Sequence, residues 1–322
     1  MKISVLGCGR WGSFIGWYLA NRGFEVTQWG MESEYSFQVL KNNGKNDYVE
    51  LDKRINLTSD LEASVNSAEI IIISISSQAL SGFIKKVTVF DVSDKKFVLC
   101  MKGIEDSTGR RLSEILIDAG INKNNIAVWV GPGHIQEFVK GNPNCMLIDS
   151  YNDKLTRYIA DTFGSDVIRF YYGNDIIGSE IGAAAKNVMG IAAGMLDGMG
   201  LTTLKGALMA RGANEVGKLI KALGGNEMSA YGLCHLGDYE TTLFSPHSNN
   251  RRYGEDYVKG VKFEKLAEGV MTSSAMKKLG EKYGVELPIT NAVYKIVIEH
   301  KDYSKILNDL FSRKTKCEFE ND

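Results

Sequence analysis

Cysteine is scarce in this 322-residue chain and shows no pairing pattern: Cys8, Cys100, Cys145, Cys234 and Cys317 are odd in number, scattered, and nowhere form C-x-x-C. That usage argues against a disulfide framework and a cysteine-bound zinc, and a reducing, cytoplasmic compartment is expected. An excess of either charge is missing too, since 38 basic residues meet 39 acidic ones. A formal net charge of −1 supplies no global field for nucleic acid or an anionic membrane, so any attraction for an anion must be local. No apolar run reaches the roughly 18 residues of a membrane span. The start, Met1-Lys2-Ile3-Ser4, enters an apolar segment without the regions of a secretory signal. Internal repeats and low-complexity segments are lacking as well.

What is present is ordinary in amount, 44% apolar and 24% charged, over a length sufficient for two cores. The informative stretch is Ser4-Val5-Leu6-Gly7-Cys8-Gly9-Arg10-Trp11-Gly12, a glycine-rich turn directly behind an apolar strand. Gly7 suits a tight exit from the strand, Gly9 lets backbone approach a pyrophosphate, and Gly12 lets the next helix pack closely. A phosphate would sit at that helix's N-terminus, where free N–H groups and the dipole favour an anion. A purely structural turn is the better reading of an isolated GxGxxG; the strand before it and the helical run 13–21 after it favour a dinucleotide. Glu32, twenty residues past Gly12, stands at the offset of a ribose-binding acid, which favours NAD. A solvated surface glutamate is the alternative, and Arg10 on the glycine loop keeps NADP open.

Further short apolar runs, 69–75, 97–101 and 126–130, alternate with helical stretches and predict a parallel sheet covered on both faces, extended at one edge by 146–150 and 167–171. From about residue 175 the pattern turns helical. The run 181–195 is apolar all round, as in a helix buried on every face, while 214–223 and the stretch from Thr290 are amphipathic, with Thr290 read as an N-cap. The expectation is an α/β protein: an N-terminal Rossmann-type doubly wound parallel sheet over residues 1–175 and an all-helical domain over 176–322. The tail after Arg313 is charged and expected to fray.

Several polar groups fit no structural role. Lys186 interrupts the apolar run amid alanine and glycine, where desolvation lowers a lysine pKa toward the range of proton transfer; a lysine that snorkels to the surface is the alternative. Lys102 ends a sheet strand, Gly131-Pro132-Gly133-His134 follows another, and Gly237-Asp238 lies in a glycine-flanked turn. The segment His247-Ser248-Asn249-Asn250-Arg251-Arg252 gathers hydrogen-bonding and cationic groups of the kind a phosphate-bearing substrate needs.

With Gly7–Gly12 and Trp11, Lys102-Gly103-Ile104, Gly131-Pro132, Lys186-Asn187-Val188, Asp197-Gly198, Arg211-Gly212, Leu236-Gly237-Asp238, Asn250-Arg251-Arg252 and Glu268-Gly269 in one order, the chain resembles the NAD(P)-dependent glycerol-3-phosphate dehydrogenases over nearly its whole length. The resemblance implies reversible reduction of dihydroxyacetone phosphate to sn-glycerol 3-phosphate, a precursor of glycerophospholipids, by a metal-free homodimer. Carried over by position, Lys186 exchanges the proton with the substrate oxygen, with Lys102 and Asp238 beside it. Gly131, Gly133, Ser248, Asn249, Asn250 and Arg251 line the substrate, and Gly7, Gly9, Arg10, Trp11, Gly12, Glu32, Lys102, Ile135 and Glu268 hold the cofactor.

Three departures stand out. Asn249 replaces an arginine of the family pattern, a loss of one charge-assisted contact worth roughly 1.5–3 kcal/mol, which Arg251 or Arg252 could offset. Gly133 replaces a hydroxyl residue, and Met31 replaces an arginine or histidine, which weakens the case for NADP. Two alternatives remain: a dehydrogenase of the same scaffold for another hydroxy or keto compound, and a weakly catalytic NADH-binding sensor.

Overall fold

The structure, a computed structural model, describes residues 1–315, 317 and 318; the rest of the charged tail expected to fray lies outside the described residues. Eight strands form one sheet: β1 (Lys2–Leu6), β2 (Glu25–Trp29), β3 (Asn56–Thr58), β4 (Ile70–Ile73), β5 (Lys96–Leu99), β6 (Ile126–Val130), β7 (Asn144–Ser150) and β8 (Ile168–Tyr172). Their spatial order is β3-β2-β1-β4-β5-β6-β7-β8. All neighbours are parallel except β6 and β7, so the sheet is doubly wound with one antiparallel step near an edge. The four isoleucines of β4 are completely buried, as a central strand covered on both faces requires. β3 has no counterpart in the sequence reading, because Asn-Leu-Thr at a sheet edge carries no apolar signal.

The sheet is covered by α1 (Arg10–Asn21), α2 (Tyr35–Asn43), α3 (Leu61–Ser67), α4 (Leu80–Val87), α5 (Leu112–Asp118), α6 (Ile135–Val139) and α7 (Asp153–Phe163). Leu6 of β1 lies level with Trp29 of β2 and Ile73 of β4, so three strands end together beneath the glycine turn. The chain order reverses between β1 and β4, which opens a crevice at the carboxyl ends of the strands.

Beyond the sheet come α8 (Ile176–Gly198), α9 (Lys205–Ala222), α10 (Asn249–Val258), α11 (Glu268–Tyr283), α12 (Pro288–Val297) and α13 (Tyr303–Phe311). α8 is buried along nearly its whole length because α9, α10, α11 and α12 surround it and one end meets β6. Glycines set how closely these helices approach. A methyl group on Gly194 would stand 1.8 Å from the Arg251 carbonyl oxygen, and one on Gly254 would stand 2.1 Å from that of Ile191. α8 and α10 therefore touch backbone to backbone. A buried ion pair ties α8 to the sheet half: Glu180 accepts from Arg111 at 2.7 Å and from the Ser113 hydroxyl at 2.6 Å.

One helix start differs from the sequence reading. α12 begins at Pro288, two residues ahead of Thr290, with proline at the first helical position where its missing N–H does no harm. Thr290 is not the cap. The buried Glu215 carboxylate takes that role, accepting from the Ile289 N–H at 2.7 Å and the Thr290 N–H at 3.0 Å. α9 likewise starts earlier than position 214, its apolar pattern diluted by Gly206, Gly212 and Gly217.

The helix crossing gives a direct test. Gly254→Ala is expected to lower the unfolding free energy by about 1–3 kcal/mol through overpacking. Gly206→Ala on exposed α9, where a methyl meets nothing within 4 Å, should be neutral or stabilising. Thermal melts of both variants check the contrast; equal melting temperatures would refute the close packing.

Candidate active site

The first wall of the crevice is the glycine turn. Gly7 has φ 127°, and a methyl there would lie 2.1 Å from the Ser74 carbonyl oxygen, so no other residue fits. Gly9, the N-cap of α1, has nothing within 4 Å of a methyl position and offers open space. Gly12 is pressed against the Gly7 carbonyl, 2.2 Å from a would-be methyl, which brings α1 down onto the turn. α1 has no side-chain cap and no acidic residue in its first turn, leaving its leading N–H groups and positive dipole end free for an anion. Trp11 in that turn has a buried indole N–H without a partner. An open glycine cradle, an uncapped helix start and an orphaned donor together fit a dinucleotide pyrophosphate.

Glu32 lies three residues beyond β2 on the exposed surface, paired with Lys41 at 2.5 Å and accepting from Gln38 at 3.2 Å. Those contacts hold its carboxyl below the usual glutamate range. Arg10 donates to Gln136 at 3.3 Å and lies over the Tyr48 ring at 5.0 Å.

Opposite the turn, three charged side chains converge from distant parts of the chain. Asp238, 1% exposed, sits with one carboxylate oxygen 2.7 Å from Lys102 Nζ and 3.1 Å from Lys186 Nζ. Lys102 also donates to the Gly131 carbonyl at 2.7 Å, and Lys186 donates to Thr242 Oγ1 at 2.8 Å. Each ammonium thus uses two of its three N–H donors on the protein and keeps one. Burial would lift the Asp238 carboxyl, but the two lysines hold it below the ordinary aspartate value. Burial pushes Lys186 down to about 8, with Lys102 adding to the push and Asp238 opposing it.

A chain of amides fixes this cluster. Asn187 donates to the Lys102 carbonyl at 2.9 Å, Asn250 donates to Asn187 at 3.0 Å, and the Gly269 N–H donates to Asn250 at 2.9 Å. Next along α11, Glu268 lies in the field of both lysines, but burial dominates and raises its pKa.

The remaining residues of the sequence reading are placed as follows. Ser248 caps α10, accepting from the Arg251 N–H at 3.3 Å. Asn249 donates to the Leu266 carbonyl at 3.4 Å. Arg251 is bound to Asp197 at 2.7 Å and to Glu255 at 2.9 Å, so it is committed to joining α8 and α10. Ile135 is buried at the start of α6. Gly133 has a steric reason: a side chain would run into the Phe138 ring at 2.3 Å, and that ring stacks on Phe14 at 5.4 Å.

Thr242, the partner of Lys186, went unread in the sequence. It lies on a five-residue π-turn, Glu240–Phe244, and threonine four residues after an aspartate gives no pattern of its own. Thr241 in the same turn donates to Asp238.

Comparison with known proteins decides the family. The model of the NAD-dependent glycerol-3-phosphate dehydrogenase N-terminus matches residues 2–156, and that of the C-terminus matches residues 175–308. A glycerol-3-phosphate dehydrogenase [NAD(P)+] of Prosthecochloris aestuarii is 32% identical over 99% of this chain and 100% of its own length. The chain belongs to the NAD-dependent glycerol-3-phosphate dehydrogenase family. A counterpart from Pelodictyon phaeoclathratiforme is 34% identical over 99% of each chain. The crystal structure of glycerol-3-phosphate dehydrogenase from Coxiella burnetii superposes with a TM-score of 0.89 at 26% identity, covering 97% of this chain and 99% of that one.

In this family member the Asp238 cluster is the principal buried charge opposite the crevice. Asp238→Asn leaves the buried Lys186 and the partly exposed Lys102 without their counter-ion and is expected to cost about 3 kcal/mol of unfolding free energy. Urea titration at pH 7 measures it; a cost below about 1 kcal/mol would mean that the lysines do not depend on this carboxylate.

Proposed function

We propose that this chain reversibly reduces dihydroxyacetone phosphate to sn-glycerol 3-phosphate with a nicotinamide cofactor, residues 1–175 holding the cofactor and residues 176–322 forming the helical substrate domain. The observation that carries the proposal is the pair of ammonium groups on one buried carboxylate, each with an N–H to spare, opposite a dinucleotide cradle. The names of the full-length relatives point to the same reaction.

The nicotinamide supplies a hydride when bound. Gly7, Gly9 and Gly12 with the first turn of α1 would hold the pyrophosphate, and Trp11, Ile135, Lys102 and Glu268 would border the rest. As the carbonyl is reduced, negative charge grows on its oxygen. Lys102 and Lys186 present their remaining N–H donors to that charge, beside a buried carboxylate where screening by water is reduced. Lys186, with the lowered pKa, transfers the proton; Thr242 and Asp238 fix where its Nζ stands. Asp238 favours the charged form of Lys186 before substrate arrives.

NAD is the preferred cofactor in this proposal, with Glu32 reaching the ribose after release from Lys41. Comparing kcat/KM for NADH and NADPH tests it, and a preference for NADPH would overturn it. Phospholipid supply, a cytoplasmic setting and a homodimer complete the proposal, each supported by the family resemblance. Among the described residues no helix is long and apolar enough to cross a membrane. Light scattering on the purified protein tests the dimer.

The Lys186 assignment sets a pH dependence. Reduction needs the ammonium form, so kcat for dihydroxyacetone phosphate should stay level below about pH 8 and fall above it, while glycerol 3-phosphate oxidation rises through the same window. Lys186→Ala should lose roughly 10²–10⁴-fold in kcat. A flat profile together with retained turnover in the variant would remove Lys186 from the proton-transfer role.

A further inference from the structure

The crevice has a second polar wall that proton transfer does not use. His134 stands in the loop behind β6, and His247 in the loop ahead of α10. Their rings meet edge to face, 5.8 Å between centroids and 75° apart. Nε2 of His134 is buried and has no hydrogen-bond partner. A buried ring nitrogen left unpaired calls for an explanation, and a ligand that completes it is the direct one.

Several neighbouring side chains that could bind an anion have partners within the protein. Arg251 is held by Asp197, Glu255 and the Ser245 carbonyl. Arg252 lies over the Phe263 ring at 6.0 Å, and Asn249 is tied to the Leu266 carbonyl. Gly133 offers no side chain, and Phe138 occupies the space one would need. The lysines of the Asp238 cluster keep one donor each for the reacting oxygen. The histidine pair, in contrast, includes a buried ring nitrogen with no partner.

We propose that His134 and His247 together recognise the phosphate group of the substrate, in a chain where Asn249 and Gly133 supply neither a cation nor a hydroxyl for it. The proposal rests on the phosphorylated-triose reading above. The field at His134 suits an anion: Arg10 on α1 and Lys186 on α8 outweigh Asp238, with Glu137 on the solvent side of α6. Burial and those cations hold the His134 imidazole down near 4, so at neutral pH it is an uncharged ring that donates one N–H. Two loops from opposite halves of the molecule thus close on one end of the substrate while Lys102 and Lys186 hold the other.

The test is steady-state kinetics with dihydroxyacetone phosphate and NADH on the full-length protein, comparing wild type with His134→Ala, His247→Ala and His247→Ala/Asn249→Arg. NADH binding by fluorescence confirms that each variant folds, and His134→Gln replaces His134→Ala if the latter does not. Each histidine variant should raise KM at least tenfold while kcat changes less than threefold, and the added arginine should recover most of the His247→Ala loss. KM values within twofold of wild type in both variants would overturn the histidine assignment and leave the reaction standing. Equal loss in kcat and KM without rescue by Asn249→Arg would also overturn it, marking a general structural effect. Failure of the wild-type protein to turn over dihydroxyacetone phosphate would overturn the reaction itself, and the histidine assignment with it.

Discussion

A single carboxylate, Asp238, organises the chemistry of this molecule by standing between two ammonium groups that come from different halves of the chain. Lys102 arrives from the end of a sheet strand and Lys186 from the middle of the most buried helix, and one oxygen of Asp238 meets both. Two cations so close would repel each other and lose their protons in a dry site. The anion between them makes the arrangement stable, while the burial of Lys186 itself lowers its proton affinity. The surrounding hydrogen bonds serve this arrangement: Thr242 fixes one lysine, the Gly131 carbonyl the other, and the Asn187–Asn250–Gly269 chain fixes the backbone beneath.

Holding that cluster requires α8 to be buried on all sides and approached closely. Gly194 and Gly254 let α10 rest on α8 backbone to backbone, which carries Asn250 to Asn187. The same crossing fixes Arg251 between Asp197 and Glu255, so a residue in a phosphate-binding type of sequence serves as a strut between helices. On the sheet side, the Glu180–Arg111 pair docks α8 against α5. Position in the fold therefore decides which cations near the crevice are free for a ligand, and the lettering of the segment 247–252 alone does not.

Sheet and helices were legible where burial leaves a strong period. The isoleucine run 70–73 could only be a covered strand, and the alanine-rich stretch around Lys186 only a buried helix. The glycine turn was legible for the same reason: Gly7 and Gly12 are demanded by close backbone contacts that exclude any side chain. The polar edge strand β3 was not, having no apolar face to announce it. Nor was the start of α12, where the cap is Glu215, some seventy residues earlier in the chain and invisible to local pattern. Of the site, Lys102, Lys186 and Asp238 stood out as charges in apolar or glycine-rich settings, whereas Thr242 and the His134–His247 contact depend on tertiary juxtaposition. Gly133 read as a lost donor in the sequence; in the structure it is the consequence of Phe138 occupying the space.

The central claim, that burial prevails over the pull of Asp238 and places the Lys186 proton equilibrium within reach of neutral pH, is tested most directly by titrating that one amine. NMR of the protein carrying isotope-labelled lysine side chains, assigned with Lys186→Arg, should show one resonance with a midpoint near pH 8, well below the other lysines. A Lys186 resonance that titrates with the bulk, above pH 10, would contradict the account.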